Sequence, residues 1–544
     1  MNKLSLFFLL LINFQLSTTH CQAQDPDIEW QTCLGGTDRE GSGGFIQPTS
    51  DGGYIFVGIA ASTDNDVSGL HFNGGYTYED IYDFDGNYLY TDSTWYSYSD
   101  IWVVKQDATG AIEWQKCLGG TNDEYAGNVK QTSDGGYIVA GYISSTDGDV
   151  TNNHGGWDYW VVKLNATGAI QWQKSFGSTG DDYLNSINQT SDGGYIVGGI
   201  ASANDGDVSG FHGGTDYWVV KLNTAGTIQW QKCLGGYSGE FVGSVIQTTD
   251  GGYAAIGASS SNSGDVTGNH GGSDYWVVKL DTSGAIQWQK SYGGSHEETG
   301  TYIQQTNDGG YILVGYSSSN NGNVSDNHSQ SPEIDTWVVK INSSGTIQWQ
   351  KCLGGTQAEP GYFIQQSTDG GYIVAGSTSS NDGDVSGNHG GYDYWVVKLD
   401  TAGAIKWQKC LGGTESDFGT SIQQTTDGGY IVAGYTVSNN GEVTNNHGGS
   451  DYWVIKLSNL TDINEATLPR LALFPNPSKE TITLTFDKPQ SRTISIINSL
   501  GQTVLSQDTQ NGQETINISG IVAGIYNVLS TSQTQTYRAV LVKN

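Results

Sequence analysis

The chain has 544 residues, among them 78 glycines, 16 tryptophans, 31 tyrosines and a single methionine, and its formal net charge is −33. Glycine costs about 1 kcal/mol per helix-interior position, so this composition favours short strands and tight turns over helices. The charge argues against a nucleic-acid backbone or an anionic membrane surface as partner, because either would be repelled.

Residues 1–23 read as a secretory signal. Lys3 is the positive start, Leu4 to Leu16 the apolar stretch, and Cys21-Gln22-Ala23 the cleavage site before Gln24. A lipid anchor on Cys21 is the alternative, although Thr18-Thr19-His20 lacks the small apolar residues usual ahead of one. No later segment approaches the ~20 apolar residues that span a bilayer.

From Trp30 the chain repeats. Trp102, Trp160, Trp218, Trp276, Trp337, Trp395 and Trp453 form one series, and Trp30, Trp114, Trp172, Trp230, Trp288, Trp349 and Trp407 a second. Most intervals are 58 residues; one is 61, and the first interval of the second series is 84. A fixed period of this length means stacked supersecondary units. In one copy, Asn185 to Thr190 reads as a strand, and Asp192-Gly193 as a two-residue hairpin turn. Tyr195 to Gly199 is the second strand, a polar loop runs from Ser202 to Thr215, and Asp216 to Leu222 is the third strand. Asn223 to Gly226 then turns the chain into Thr227 to Lys232. Four antiparallel strands repeated seven times is the arithmetic of a β-propeller. The two series are out of phase at the ends, so residues 28–33 supply the outer strand of the blade whose other strands come from residues 420–457. That closure removes a free edge. The expected fold is all-β: a seven-bladed β-propeller over residues 24–457 closed by its N-terminal strand, a linker at 458–470, and a small β-sandwich at 471–544.

The stretch from Trp276 to Trp288, Trp-Val-Val-Lys-Leu-Asp-x-x-Gly-x-Ile-x-Trp, resembles the repeats of quinoprotein-type propellers. The resemblance implies that the second tryptophan packs between blades, and it brings no quinone-ligand set with it. Cys33, Cys117, Cys233, Cys352 and Cys410 all follow that tryptophan by three residues, and Ser175 and Ser291 replace them in two copies. An odd number exchangeable with serine reads as small packed residues rather than a disulfide framework.

The innermost strand of each unit should line the central channel. Gln47, Gln131, Gln189, Gln247, Gln305, Gln366 and Gln424 stand there, expected to bond one another and channel water, and Lys130 is the only charge on these strands. A glycosidase needs two facing carboxylates, which this wall does not offer. The loop before each third strand carries Asp147-Gly-Asp149, Asp205-Gly-Asp207 or Asp382-Gly-Asp384 in its fullest copies, followed by a histidine. Such carboxylates could hold Ca²⁺, could form a repeated sugar pocket, or could cap turns while the histidines pack on a neighbouring loop. One histidine per blade leaves these residues too far apart to share a transition metal. The first unit carries an insertion between Gly75 and Asp100. Its Asp83 and Asp85 could bind a cation, and Tyr82, Tyr88, Tyr90 and Trp95 could stack on sugars.

Beyond the linker, Pro475-Asn476-Pro477, Leu500-Gly501 and Ala523-Gly524-Ile525-Tyr526 occur in order within a strand-rich segment. Together they resemble the type A C-terminal sorting domain of the type IX secretion system, with Pro475, Asn476, Pro477, Gly501, Gly524 and Tyr526 as its signal residues. The resemblance implies handling by that machinery, passage across the outer membrane of a Gram-negative bacterium, and release or surface attachment with the tail removed. The expected function is a secreted or surface propeller that binds glycan or extracellular matrix, with no nucleic-acid partner. A polysaccharide hydrolase and a structural surface protein without a discrete pocket are the alternatives.

Overall fold

The computed structural model describes residues 25–41, 43–71, 98–329, 332–459, 471–486, 489–498, 503–532 and 536–544, and the backbone of 75–82 and 88–96. The expected signal segment and almost all of the expected linker lie outside the described residues. The chain divides between Leu460 and Thr461 into two compact units, and the described residues contain no helix.

Seven four-stranded antiparallel sheets build the first unit. Blade 1 consists of Phe45–Pro48, Tyr54–Ala60, Asp100–Gln106 and Ile112–Leu118; blade 2 of Glu124–Gln131, Tyr137–Ile143, Asp158–Leu164 and Ile170–Phe176. Blades 3 to 6 follow in chain order over residues 183–234, 240–292, 298–353 and 361–411, and blade 7 takes Asp417–Gln424, Tyr430–Thr436 and Asp451–Leu457, with Ile28–Leu34 as its outer strand. Cys33 pairs with Trp453 and Leu34 with Tyr452. Trp453 Nε1 donates to Gln31 Oε1 at 2.7 Å, repeating the Trp160–Gln173 bond of blade 2. The ring is closed by its own N-terminus, as the phase of the tryptophans predicts.

Third strands such as Asp158–Leu164 are buried at every position, whereas outer strands such as Ile170–Phe176 alternate with exposure. Neighbouring blades cover both faces of the inner sheet, so the sequence there runs Tyr-Trp-Val-Val without polar interruption. Trp218 packs on Tyr159 of the preceding blade at 4.5 Å, and the Tyr159 hydroxyl donates to the Trp218 carbonyl. Trp172 meets Tyr195 of the next blade edge-on at 5.9 Å, and a Cβ added to Gly226 would lie 2.7 Å from its ring. Both tryptophan series therefore dock blades. Cys33, Cys117, Cys233, Cys352 and Cys410 are buried and free, and burial pushes their thiols well up.

The Asp-Gly hairpins differ from expectation. Gly193 N donates to Thr190 O, Thr190 N donates to Gly194 O, and only Gly193 has positive φ, at 82°. This is a type I turn closed by a glycine bulge, so three residues rather than two make the loop. The turn aspartate has a second role. Lys221 of the third strand, 3% exposed, reaches Asp192 Oδ2 at 2.9 Å, and the same pair recurs in all seven blades from Lys105–Asp51 to Lys456–Asp427.

The opposite edge carries a second sevenfold device. Glu40, Glu124, Asp182, Glu240, Glu298, Glu359 and Asp417 are fully buried, and each accepts a backbone N–H from four residues earlier. Each lies close to the aspartate that opens the preceding blade's third strand. A Cβ on Gly235 would lie 2.4 Å from Glu240 and 2.7 Å from Asp216. Glycine stands there because two carboxyls leave no room, since its φ is not positive.

In the second unit, Ala472–Phe474, Thr481–Thr485 and Gln513–Asn517 form one sheet. Arg492–Ile497, Thr503–Thr509, Gly524–Thr531 and Thr536–Lys543 form another. Ile482, Leu484, Ile494, Ile496 and Val528 fill one apolar core.

Candidate functional site

Every inner strand from blade 2 to blade 7 is broken at its midpoint by a β-bulge, as between Ala126 and Asn128 or between Gly361 and Phe363. A bulge leaves one residue unpaired and re-aims its side chain. The bulge residues Gly127, Asn185, Gly243, Tyr362 and Thr420 line a cavity of about 340 Å³ in the channel. Phe45, Tyr302 and Phe363 wall it on the side of blades 1, 5 and 6. Tyr302 and Phe363 lie 4.0 Å apart and Phe45 and Phe363 5.8 Å apart. Arg39, Phe418 and Tyr435 complete the lining. The volume fits a small ligand, and an apolar wall with a few convergent polar groups is the usual make-up of such sites.

Two aromatic clusters form around the starts of the inner strands of blades 7 and 2, and Phe418 and Tyr435 of the first also line the cavity. Tyr392, Phe418 and Tyr435 stack in series, each pair at 5.0 Å. Tyr125 and Tyr142 stack at 5.3 Å, with Trp157 and Tyr183 edge-on against Tyr142. Larger depressions exist elsewhere. One of about 700 Å³ lies at the closing seam beside Cys33 and His447, positions with counterparts in the other blades; one of about 780 Å³ lies on the second unit beside Arg492 and Asp508.

The glutamines do not chiefly bond one another. Gln131 Oε1 accepts from Ser50 N in the preceding blade's turn, Gln189 from Ser133 and Gln247 from Ser191. Gln47 is one register position out of line with these, and it accepts from Gln131 N. A side-chain bond between glutamines joins Gln365 and Gln423, one position before Gln366 and Gln424.

The loop aspartates are likewise committed. Asp147 accepts from Thr121, Asp205 from Thr179 and Asp382 from Thr356, through both backbone and hydroxyl. Asp149, Asp207 and Asp384 face His71, His154 and His328 of the preceding blade, 3.6 to 3.8 Å away. The other nitrogen of each histidine bonds the aspartate that opens its own third strand, as His154 does with Asp158. Among the described residues no three His, Cys, Asp or Glu side chains are grouped to hold a metal ion.

The insertion forms a two-stranded hairpin, Gly75–Tyr82 with Tyr88–Tyr96, in which Tyr82 pairs with Tyr88 and Ile81 with Tyr90. It leaves blade 1 between the second and third strands, on the edge opposite the Asp-Gly turns. Asp83 and Asp85 lie outside the described residues, as do the side chains of Tyr82, Tyr88, Tyr90 and Trp95.

In the second unit Asn476 clamps the last strand, donating to Val540 O at 2.6 Å and accepting from Val542 N at 2.8 Å. Pro475 and Pro477 restrict the backbone on either side. The Tyr526 hydroxyl donates to Val522 O, and Gly524 opens its strand. Gly501 lies outside the described residues.

Residues 472–544 match the family model of the secretion system C-terminal sorting domain. No curated protein matches the chain. Among solved structures, similarity extends to PorZ, an essential bacterial surface component of the type IX secretion system of Porphyromonas gingivalis, at 10% identity and a TM-score of 0.37. That match covers 86% of this chain and 58% of PorZ. The Pan2 WD40 domain of Neurospora crassa (12% identity, 61% and 88% covered, TM-score 0.33) and a mutant NanB sialidase of Streptococcus pneumoniae (11%, 82% and 73%, 0.35) are also similar. The propeller assignment rests on the seven closed sheets themselves. The chain is a secreted or cell-surface β-propeller protein of a Gram-negative bacterium, carrying a type IX sorting domain at its C-terminus.

Proposed function

We propose that the propeller is a glycan-binding module of the cell exterior, with its ligand seated in the channel cavity beside Phe418 and Tyr435. The observation that carries this reading is the convergence of Tyr362, Phe418 and Tyr435 with Asn185, Thr420 and Arg39 on one cavity. Flat aromatic faces pack against the C–H faces of sugar rings, and amides and hydroxyls bond their hydroxyls. Asn185, Tyr362, Thr420 and Arg39 occupy positions where the blades differ, so blade construction does not demand them. The lining residues include no carboxylate, which favours binding over acid-pair hydrolysis.

A glycan array probed with the full chain tests the proposal. At least one glycan family should bind, and replacing Phe418 and Tyr435 by alanine should weaken binding tenfold or more with the melting temperature within about 3 °C. No binding to any glycan, or full binding by the double variant, would remove it.

A further inference from the structure

The inner strands repeat closely enough for each departure to be read against six other copies. Next to the last inner-strand residue, blades 1 to 7 carry Gln47, Lys130, Asn188, Ile246, Gln304, Gln365 and Gln423, so blade 2 alone has a charge there. Immediately before the buried junction acid, blades 2 to 7 carry Asp123, Asp181, Gly239, Glu297, Ala358 and Ser416, where blade 1 carries Arg39. In a chain of net charge −33, both departures are cations.

Both also belong to the channel. Arg39 lines the cavity. Lys130 Nζ lies 4.2 Å from the centre of the Phe45 ring, which walls the same cavity. Burial pushes the Lys130 ammonium down to about 7, and a ligand carboxylate arriving beside it would hold it in its charged form. Asn128, 6% exposed, lines the cavity too, and its Oδ1 has no hydrogen-bond partner. A buried amide oxygen normally finds one, so this atom is poised for a ligand donor.

We infer that the cavity selects acidic over neutral oligosaccharides: a uronate-type chain whose carboxylates are drawn by Arg39 and Lys130 and whose hydroxyls satisfy Asn128. This rests on the glycan-binding reading and narrows its ligand class. Cations in a walled channel act through a lower dielectric than cations on an open surface, and the walls focus their field. Aromatic faces alone would take neutral and acidic sugars alike.

The test titrates the full chain, at low salt, with a panel of oligouronates and with the same oligosaccharides after carboxyl reduction. At least one acidic member should bind tenfold or more tighter than its reduced counterpart. Lys130→Gln and Arg39→Gln should each cut that ratio at least threefold. Glutamine already fills the Lys130 position in four blades, so the variant should fold, checked by an unchanged melting temperature. Equal binding of acidic and reduced members, or a ratio untouched by both substitutions, overturns the inference and leaves the glycan reading intact. If nothing on the panel or on the wider array binds, both fall together.

Discussion

The edge of the ring that carries the Asp-Gly turns and the wall of its channel share the seven inner strands, yet they behave oppositely under repetition. At the turn edge all seven blades make the same bond, a buried third-strand lysine on a turn aspartate. At the channel bulges the blades carry Gly127, Asn185, Gly243, Thr301, Tyr362 and Thr420, with no two neighbours alike. A residue needed to make a blade must appear in every blade. A residue that serves one ligand at the axis need appear once. Repetition therefore marks construction, and its breaks mark where a ligand reading is worth testing.

The comparison breaks most severely if the ring is opened. Deleting residues 25–34 leaves Asp451–Leu457 as an unpaired edge and removes the Gln31 partner of Trp453. We expect the melting temperature to fall by more than about 10 °C and the protein to self-associate through that edge. Calorimetry and light scattering read both. A monomer with unchanged melting would show that closure contributes little.

A smaller effect separates the two partners of one turn-edge pair. Asp192→Ala strands Lys221, which keeps only Leu222 O and Gln229 Oε1. The cost should be about 2 kcal/mol, below the usual 3–5 for a fully buried pair because Asp192 is half exposed. Lys221→Met frees an aspartate that water can reach and fills the lysine stem's place, so its cost should stay under about 1 kcal/mol. Denaturant midpoints of the two variants give the ranking, and the reverse order would refute the assignment.

The architecture was legible in the sequence because it depends on repeated residues: the tryptophan phase set blade number and closure, and the turn residues set the hairpins. The lysine–aspartate pairs were hidden although both partners were in plain view, since twenty-nine residues separate Lys221 from Asp192 and only strand pairing joins them. The channel cavity was less visible still. A β-bulge shifts register by one residue, and alternation read along Glu124–Gln131 cannot say where the shift falls. Lys130 stood out as a lone charge, but its partner Phe45 comes from another blade. Arg39 becomes conspicuous only once blade 1 is aligned against Asp123, Asp181 and Glu297, because the extra residue in its glycine-rich approach to the inner strand obscures the match.

The mildest test uses pH, because the two edges of the ring titrate in opposite senses. Burial raises Glu124 to about 7 and Asp182 and Asp393 to about 6, against the hydrogen bonds they accept, with Asp100, Asp158 and Asp417 nearby adding to the rise. An acid whose pKa is raised by folding stabilises fully below its unfolded value, near 4, and that contribution is lost as pH climbs through 6 to 7. At the turn edge burial opposes, but Thr190, Lys221 and Gly194 together bring Asp192 down to about 2, and Asp134, Asp250 and Asp308 follow. Those contributions are present above about 4 and are lost as pH falls toward 2. The melting temperature should therefore peak between about pH 4 and 6 and decline on both sides. Glu124→Gln fixes one of these acids in its neutral form, so it should soften the alkaline decline slightly and leave the acid limb alone. Asp192→Asn should do the converse. A profile that peaks near pH 8, or a Glu124→Gln variant that melts lower than the parent at pH 8 but not at pH 5, would mean that these buried acids are held ionised.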